Sequence, residues 1–322
     1  MSAIDRDRFE PILIGITRAG KWVLLPDASR LEIREGKLPE IDPTLPAITA
    51  DLHGFSVNGQ ALTLDLIFPI LHGPYGEDGT IQGLCEVAGI RYVGSGVLAS
   101  AVAMDKSFAK PIFSAHGLTV APGVVLIAGQ WSAGQIEGLT YPLFVKPARS
   151  GSSRGTSKVK NFDELKKAID YASEFDTKVI VEEAIVGREI ECAVLEIAGI
   201  AHPSPVGEIK ILGNHEFYDF EAKYLDNATE VRFPQDLPDG VEKAIQDAAV
   251  LAFKAVGCEG LARVDFFYTD SGEIIINELN TMPGFTPTSM YPKLWAKGGR
   301  SYSEIISALI DAALLRSAHV TR

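Results

Sequence analysis

The segment 261–286, LARVDFFYTDSGEIIINELNTMPGFT, carries polar side chains in a spacing that could hold phosphate together with a divalent cation. Arg263 and Asp265 precede the turn sequence TDSG, and Glu278 and Asn280 follow it. In a hairpin the strands lie about 5 Å apart and residues two apart share a face, so these side chains can point to one side. Oxygen donors that converge beside a basic residue suit Mg²⁺ bound with nucleotide phosphates. A single carboxylate would more often be a solvated surface group, but the pattern R-x-D followed by E-x-N favours a site, in which Arg263 could stabilise developing negative charge.

A second basic cluster surrounds a loop rich in serine and glycine within residues 144–159, FVKPARSGSSRGTSKV. Lys146 ends an apolar strand pattern, and Lys106 follows an aspartate near a predicted helix start. Lysine is a mobile point charge that suits phosphate oxygens. The loop could be a flexible surface excursion, or it could cradle phosphate with its backbone N–H groups and the hydroxyls of Ser152 and Ser153. It is neither a Walker A loop nor a G-x-G-x-x-G turn.

A third element, residues 181–191 with the sequence VEEAIVGREIE, combines apolar and acidic residues. Adenine and ribose recognition requires apolar walls, backbone amides and a carboxylate for the ribose hydroxyls. The end of the predicted strand and the following Glu189 could supply all three. Taken alone, this segment is a weak indication of nucleotide binding.

Composition restricts the classes of partner. The chain has 322 residues, 46% of them hydrophobic, with a formal net charge of −12 from 30 basic and 42 acidic side chains. That balance argues against nucleic acid or an anionic membrane surface as a ligand. The isolated cysteines Cys85, Cys192 and Cys258 form no metal-ligand or disulfide pattern, and the first residues lack the apolar segment of a signal peptide. We therefore expect a cytoplasmic protein.

The coarse organisation is mixed α/β, with part of an open sheet in the N-terminal third. Residues 41–60 read as a surface excursion, and Pro111 is expected to kink or restart a helix over 100–117. We expect the divisions 1–103, 104–187 and 188–322. Further strands are predicted at 11–17, 21–25, 64–71, 91–96, 141–148, 178–185, 190–199, 261–267 and 272–280, and further helices at 80–89, 161–175, 241–257 and 303–315.

Taken together, these motifs resemble the ATP-grasp superfamily, in which two α+β lobes hold ATP between them. The resemblance narrows to the D-alanine–D-alanine ligase family, because further family motifs occur in the same order over nearly the whole chain. They read LHGPYGEDGTIQG (with His72, Gly76, Glu77, Asp78 and Gly79), AMDK, VKPARSGSS, EAKY, LARVD and NELNTMPGFT. The resemblance implies an ATP-grasp fold that follows a truncated N-terminal domain with an open parallel sheet.

The resemblance also implies roles for individual residues. Those assigned to ATP are Lys106, Lys146, Lys223 and the backbone of Ser153 for the phosphates, and Glu182, Glu189 and the backbone of Glu183 and Ile185 for adenine and ribose. Those assigned to two Mg²⁺ or Mn²⁺ ions are Asp265, Glu278 and Asn280. Those assigned to the reacting amino acids are Arg263 and the N–H of Gly284 as oxyanion hole, Ser152 and His72 near the first D-alanine, Ser289 and Met290 at the carboxylate of the second, and Tyr224 in a flap.

The implied reaction joins two D-alanines through a D-alanyl phosphate, with ATP as co-substrate, for peptidoglycan precursor synthesis. A homodimer formed through the N-terminal domain is the assembly that the resemblance suggests. The alternatives are a D-alanine–D-lactate or D-alanine–D-serine ligase, another ATP-grasp carboxylate–amine ligase, or a truncated nucleotide-binding relative with weak activity.

One family feature is expected to be missing. Family members begin with a strand and the motif Gly-Gly-x-Ser-x-Glu-His, whose glutamate holds the amine of the first D-alanine. Here the sequence 3–17, AIDRDRFEPILIGIT, resembles the end of the first helix and the strand after it. Loss of a buried strand would expose sheet edges, so we expect the chain as it stands to bind ATP, ligate poorly and aggregate readily.

The resemblance generates a prediction about the second substrate. Family members with tyrosine at the position of Tyr224 form the dipeptide, and those with phenylalanine in the flap tend to use D-lactate. The Tyr224→Phe variant should therefore raise the rate with D-lactate relative to D-alanine, because the phenol that can tie the flap to Ser152 is lost. Phosphate release measured with both substrates across pH checks this, and an unchanged ratio would contradict the role.

Overall fold

The computed structural model describes residues 2–28, 40–51, 54–151, 153–211 and 229–316. Its helices are α1 (Thr80–Ala88), α2 (Val97–Met104), α3 (Lys106–Ala115), α4 (Phe162–Ser173), α5 (Val241–Ala255), α6 (Met290–Lys297) and α7 (Tyr302–Leu315). Its strands are β1 (Ile14–Ile16), β2 (Trp22–Leu24), β3 (Ile48–Asp51), β4 (Gly54–Val57), β5 (Gln60–Leu62), β6 (Leu66–Ile67), β7 (Arg91–Tyr92), β8 (Thr119–Val120), β9 (Gly123–Ile127), β10 (Leu143–Pro147), β11 (Ser157–Val159), β12 (Lys178–Glu183), β13 (Gly187–Ile197), β14 (Ile200–Ile211), β15 (Thr229–Arg232), β16 (Leu261–Thr269) and β17 (Ile274–Asn280).

A four-stranded antiparallel sheet of order β11–β10–β12–β9 forms the middle of the chain. Along β10, Leu143 and Val145 are fully buried against α4, whereas Phe144 and Lys146 lie on the opposite face. This alternation follows from the period of two in a strand. It leaves Lys146 on the face that is turned away from the apolar core.

A six-stranded sheet of order β15–β14–β13–β16–β17–β8 forms the second layer. One of its faces packs on α2, α3 and α5 and the other on α6 and α7, in two apolar clusters. A central strand covered on both faces is almost continuously buried, as in β13. This sheet therefore holds β16 and β17 rigidly at the site.

Short strands make up the N-terminal region. The parallel pairing expected there occurs between β6 and β7, but β1 and β2 are antiparallel. The reason is the tight connection between them, in which Thr17 N–H donates to Lys21 O at 2.9 Å, because so short a turn joins only antiparallel strands. No helix among the described residues is long and apolar enough to cross a membrane.

Two expectations for this region are wrong. Residues 2–8 form turns rather than the end of a helix, because the segment packs on α7, where Arg8 pairs with Asp311 at 2.5 Å and Ser303 donates to Ala3 O at 2.7 Å. Residues 41–60 hold most of the β3–β4–β5 meander rather than a mere surface excursion. The meander buries Phe55 against the rest of the region.

The helix break predicted at Pro111 lies instead at Asp105. The Asp105 carboxylate accepts hydrogen bonds from the backbone and hydroxyl of Ser107 at 3.0 and 2.6 Å, so it ends α2 and caps α3. Pro111 lies within α3. The capped start fixes the first turn of α3, which carries Lys106.

Strand β14 and helix α6 were missed by the sequence patterns. Pro203 and Pro205 argue against a strand, and they are tolerated because β13 and β14 shift register between Cys192 and Val194. Helix α6 begins at Met290, with Pro287 before it and Pro292 within its first turn. Its fully buried Tyr291 donates to Val194 O at 2.9 Å.

The fold predicts a strong dependence on Phe113, which is fully buried between α3 and the six-stranded sheet. The Phe113→Ala variant should lower the free energy of unfolding by about 3–5 kcal/mol, because it leaves a cavity. Phe108→Ala on the same helix, where the side chain is 60% exposed, is the control and should cost less than about 1 kcal/mol. Denaturant titration of the three proteins compares them, and equal midpoints for both variants would contradict this packing.

Candidate active site

A cavity of about 390 Å³ lies between the four-stranded and six-stranded sheets. Most of the residues predicted to bind nucleotide line it, together with two of the predicted metal ligands. The former are Lys106, Lys146, Ser153, Glu182, Glu183, Ile185 and Glu189, and the latter are Asp265 and Glu278. A smaller neighbouring cavity is lined by Lys106, Glu77, Glu278 and Asn280, among others, so the two cavities share Lys106 and Glu278.

Lys106 and Lys146 bring positive charge to the cavity from two elements. Lys106 Nζ, on the first turn of α3, lies 3.1 Å from Glu278 Oε2 and donates to Ser150 O at 3.2 Å. Burial would lower the pKa of Lys106, but Glu278 and other nearby carboxylates raise it. Lys146 Nζ lies 2.7 Å from Glu182 Oε2 and 3.4 Å from Asn277 Oδ1. Both ammonium groups are therefore paired with carboxylates.

The R-x-D and E-x-N residues converge as their spacing predicts. Asp265 lies directly opposite Glu278, and Arg263 lies opposite Asn280. Arg263 Nε and Nη2 donate to the two Asp265 oxygens at 2.7 and 2.8 Å, and Nε also lies 3.0 Å from Glu191 Oε2. Desolvation would lower the pKa of the partly buried Arg263, but Asp265 and Glu191 raise it. Asp265 and Glu191 thus hold the guanidinium plane in a fixed orientation.

The predicted metal ligands provide two carboxylates and one amide. Asn280 Nδ2 donates to Asp265 Oδ2 at 3.1 Å, and Glu278 is paired with Lys106. Among the described residues, no group of three or more His, Cys, Asp or Glu side chains is placed to hold a metal. Asp265, Glu278 and Asn280 do not form such a group because Asn280 contributes an amide. The oxygen atoms of all three side chains are nevertheless of the type that Mg²⁺ prefers. The residues present therefore fit such an ion.

The predicted phosphate loop is anchored at its start. Arg149 donates to Asp176 through its backbone N–H and Nε at 3.0 Å and through Nη2 at 2.6 Å. Ser153, which lines the cavity, has a positive φ of 56°, and Gly155 has a φ of 74° with no room for a Cβ beside Phe175 and Pro147. Glycine at 155 thus allows the loop to turn back tightly against the four-stranded sheet.

The segment predicted for adenine and ribose continues from β12 along one wall of the cavity. Glu182 is buried, whereas the Glu183 carboxylate accepts from Thr140 N–H at 2.8 Å and faces the neighbouring loop. Ile185 and Glu189 line the cavity. The side chain of Glu183 is thus committed elsewhere, which leaves its backbone for a ligand.

His72 and Glu77 both come from the HGPYGEDG motif, and Glu77 lines the smaller cavity. His72 Nδ1 lies 2.9 Å from Met282 O. Desolvation by the surrounding protein lowers the pKa of His72, although the residue is partly exposed. The hydrogen bond with Met282 acts in the opposite direction, and the charge of Arg263 lowers the pKa further. Burial raises the pKa of Glu77 to about 7, although its carboxylate accepts from Gly73 N–H at 3.0 Å. The motif therefore places two groups with shifted pKa values close enough to Arg263 to feel its charge.

The residues predicted for the second amino acid lie around the start of α6. Ser289 Oγ accepts from Thr286 N–H at 3.1 Å and lies 2.8 Å from the Thr286 hydroxyl. A Cβ at Gly284 would come 3.0 Å from Ser289 Oγ, so glycine allows this close approach. The Met290 side chain packs in the apolar core, which leaves its backbone for the predicted contact. Ser152, Lys223, Tyr224 and the flap over 214–224 lie outside the described residues.

Sequence reasoning missed several polar residues of the site. Glu77 was noticed within its motif but given no role, and Asn277 and Glu191 line the cavity without having been singled out. Lys110 is buried and pairs with Glu182. Its signal was present, because Lys106 and Lys110 are four residues apart and so share one face of a helix.

The comparisons with known proteins agree with this geometry. The family models described as D-ala D-ala ligase C-terminus and N-terminus match residues 112–311 and 1–95. The D-alanine–D-alanine ligase of Paenarthrobacter aurescens is 48% identical over an alignment of 337 positions, which covers 98% of this chain and 89% of that protein.

Two solved structures extend the comparison. The VanG D-Ala:D-Ser ligase from Enterococcus faecalis is 39% identical with a TM-score of 0.85, covering 97% of this chain and 92% of the other. The Bacillus anthracis D-alanine–D-alanine ligase complexed with ATP is 31% identical with a TM-score of 0.67, covering 78% and 79%. The motifs, the two-sheet cavity and these matches over nearly the whole length lead to one conclusion: the chain belongs to the D-alanine–D-alanine ligase family and has its ATP-grasp fold.

Proposed function

We propose that this chain joins two D-alanines to D-alanyl-D-alanine, with ATP converted to ADP and phosphate, as a step in peptidoglycan precursor synthesis. The observation that carries the proposal is the convergence of Lys106 and Lys146 with Arg263, Asp265 and Glu278 around the cavity between the two sheets. Phosphoryl transfer needs little beyond positioning and charge stabilisation. These cations and carboxylates can supply both, in a chain whose relatives are named for this reaction.

ATP would lie in the larger cavity, with adenine toward β12 and its phosphates toward Lys106 and Lys146. The apolar side chains of Phe144, Ile185 and Ile276 line that space together with Glu182 and Glu189. The apolar surface suits the base, and Glu189 can accept from the ribose hydroxyls. Ser153, at the serine-rich loop, lines the same space, and its backbone N–H would meet a phosphate.

Asp265, Glu278 and Asn280 would hold Mg²⁺ or Mn²⁺, as two ions. When bound, such ions offset the charge of the phosphates and of the attacking carboxylate. Arg263 lies beside Asp265 and Lys106 beside Glu278, so each of these carboxylates is also paired with a cation.

The first step makes the carboxylate of one D-alanine the nucleophile. One of its oxygens attacks the γ-phosphorus, the bond from that phosphorus to the β,γ-bridging oxygen breaks, and ADP leaves. Lys106 and Lys146 reduce the repulsion between the two anions. The product is D-alanyl phosphate, a mixed anhydride that water would hydrolyse, so a closing loop must exclude solvent.

The second step forms the peptide bond. The amine of the second D-alanine, after losing a proton, attacks the acyl carbon, and the tetrahedral oxyanion is stabilised by Arg263 and the N–H of Gly284. Its collapse breaks the bond from carbon to the phosphate oxygen and releases phosphate. Ser289 and the backbone at the start of α6 would hold the carboxylate of this second D-alanine, where the helix N-terminus favours an anion.

The choice of second substrate separates this proposal from its nearest alternative. The similarity to the VanG D-Ala:D-Ser ligase favours D-serine as the competing second substrate. We expect phosphate release to be faster with D-alanine alone than with a mixture dominated by D-serine or D-lactate, and L-alanine to be inactive. Product analysis by mass spectrometry identifies the dipeptide, and a D-alanyl-D-serine product in excess at equal concentrations would favour the alternative.

We infer a cytoplasmic homodimer. The cytoplasm is favoured by the ATP requirement and by the free thiols of Cys85, Cys192 and Cys258, which are all buried. Dimer formation through the N-terminal region is favoured by the exposure of Tyr75 and Leu98, both 74%. Light scattering during size-exclusion chromatography gives the mass directly.

The metal assignment predicts the effect of two conservative substitutions. Asp265→Asn and Glu278→Gln should each lower kcat/KM by at least about 100-fold at ordinary Mg²⁺ concentration, because a charged hard ligand is lost. Far-UV circular dichroism should be unchanged. Glu273→Gln, an exposed carboxylate in the turn of the same hairpin, is the matched control and should retain activity. Near-normal turnover in either site variant would refute the assignment.

A further inference from the structure

Lys110 is a buried cation to which the mechanism above gives no role. It lies one turn after Lys106 on α3 and is 8% exposed. Its Nζ forms an ion pair with Glu182 Oε1. Among the described residues that line the cavity, Lys106, Lys146 and Glu182 are present but Lys110 is not. Lys110 can therefore act on a ligand only through Glu182.

Glu182 lies between two lysines. Its second oxygen, Oε2, is 2.7 Å from Lys146 Nζ. Glu182 is 4% exposed, and its side chain passes so close to β9 that a Cβ at Gly123 would come within 2.7 Å of Glu182 Cγ. The side chain of Glu182 is thus held closely against β9.

In the cluster of Glu182, Lys110 and Lys146, two cations share one carboxylate. Burial would raise the pKa of Glu182, but Lys110 and Lys146 lower it to about 2, so the group is an anion. Burial, partly offset by Glu182, lowers the pKa of Lys110 to about 8, so Lys110 remains mostly protonated at neutral pH. Lys106 and Lys146 repel Lys110 and also lower its pKa. One carboxylate therefore holds two ammonium groups, and only one of them faces the cavity.

We propose that Lys110 is a positioning residue that remains on Glu182 as a permanent counter-ion, so that Lys146 can leave Glu182 for a phosphate oxygen of the nucleotide. An unpaired buried carboxylate is strongly disfavoured. Without Lys110, every transfer of Lys146 to phosphate would leave Glu182 unpaired, and Lys146 would stay where it is. This inference rests on the proposed function, in that Lys146 is taken to meet phosphate.

The test compares nucleotides that differ only in phosphate. The Lys110→Met variant removes the ammonium group and keeps a long unbranched side chain. It should weaken ADP binding in calorimetry by about tenfold or more, and adenosine binding by less than about threefold. KM for ATP should rise by a factor similar to the loss of ADP affinity, whereas kcat at saturating ATP should change much less. A purely structural role would weaken ADP and adenosine equally.

Three further variants make the result decisive. Lys110→Arg keeps the charge and should restore the preference for ADP over adenosine. The double variant Lys110→Met with Glu182→Gln lacks the carboxylate that retains Lys146. Its ratio of ADP to adenosine affinity should therefore lie within about threefold of the ratio for Glu182→Gln alone. Lys178→Met breaks another partly buried ion pair, with Asp105 at 2.5 Å, and is the matched control whose preference should be unchanged.

If Lys110→Met does not fold, Lys110→Gln provides the same comparison, because it removes the charge but keeps a hydrogen-bond donor for Glu182. An unchanged ratio of ADP to adenosine affinity in the folded neutral variant overturns the proposal, as does a double variant that binds ADP no better than Lys110→Met. Neither result bears on whether the unaltered chain ligates D-alanine, which is measured separately. Failure of that ligation would refute the proposed function instead.

Discussion

Mutual neutralisation of buried charges is the constraint on which the site depends. The chain is acidic overall, yet its cavity must receive a polyanion, so the cations have to be concentrated locally and held in position. Lys106, Lys146 and Arg263 are each paired with a carboxylate of the same cavity. Because unpaired buried charges are strongly disfavoured, these pairs hold the cations in position. Nucleotide and metal would exchange partners within a network that is already assembled.

Helix α3 connects the two sheets through this network. Lys106 reaches Glu278 on β17 of the six-stranded sheet, and Lys110 reaches Glu182 on β12 of the four-stranded sheet. The two lysines share a helix face because they are four residues apart. Phe113, three residues after Lys110 and on the same face of α3, is fully buried in the core of the six-stranded sheet. A helix anchored in one sheet therefore carries a cation to each.

Local periodicity explains what the sequence could predict. Arg263, Asp265, Glu278 and Asn280 face one another because the period of a strand and a short turn settle their register within one hairpin. The start of α4 at Asn161 was predictable for the same reason, since its cap is local. The break between α2 and α3 depended instead on whether the Asp105 side chain would cap α3. That side chain is also held by an ion pair with Lys178 on β12, which is 73 residues away in the sequence.

Long-range packing explains what the sequence could not predict. Nothing in the sequence near Lys110 indicates that Glu182, on a strand of another layer, would be its partner, and the two prolines of β14 argue locally against a strand that the register shift of β13 tolerates. The same distinction separates the roles at the site. Groups that touch a ligand occur in short motifs, because phosphate, metal and oxyanion are small and need several donors within a few ångströms. Groups that support them, such as Lys110 behind Glu182 and Glu191 beside Arg263, can come from any element that the fold brings close, so they emerge only once the sheets are in place.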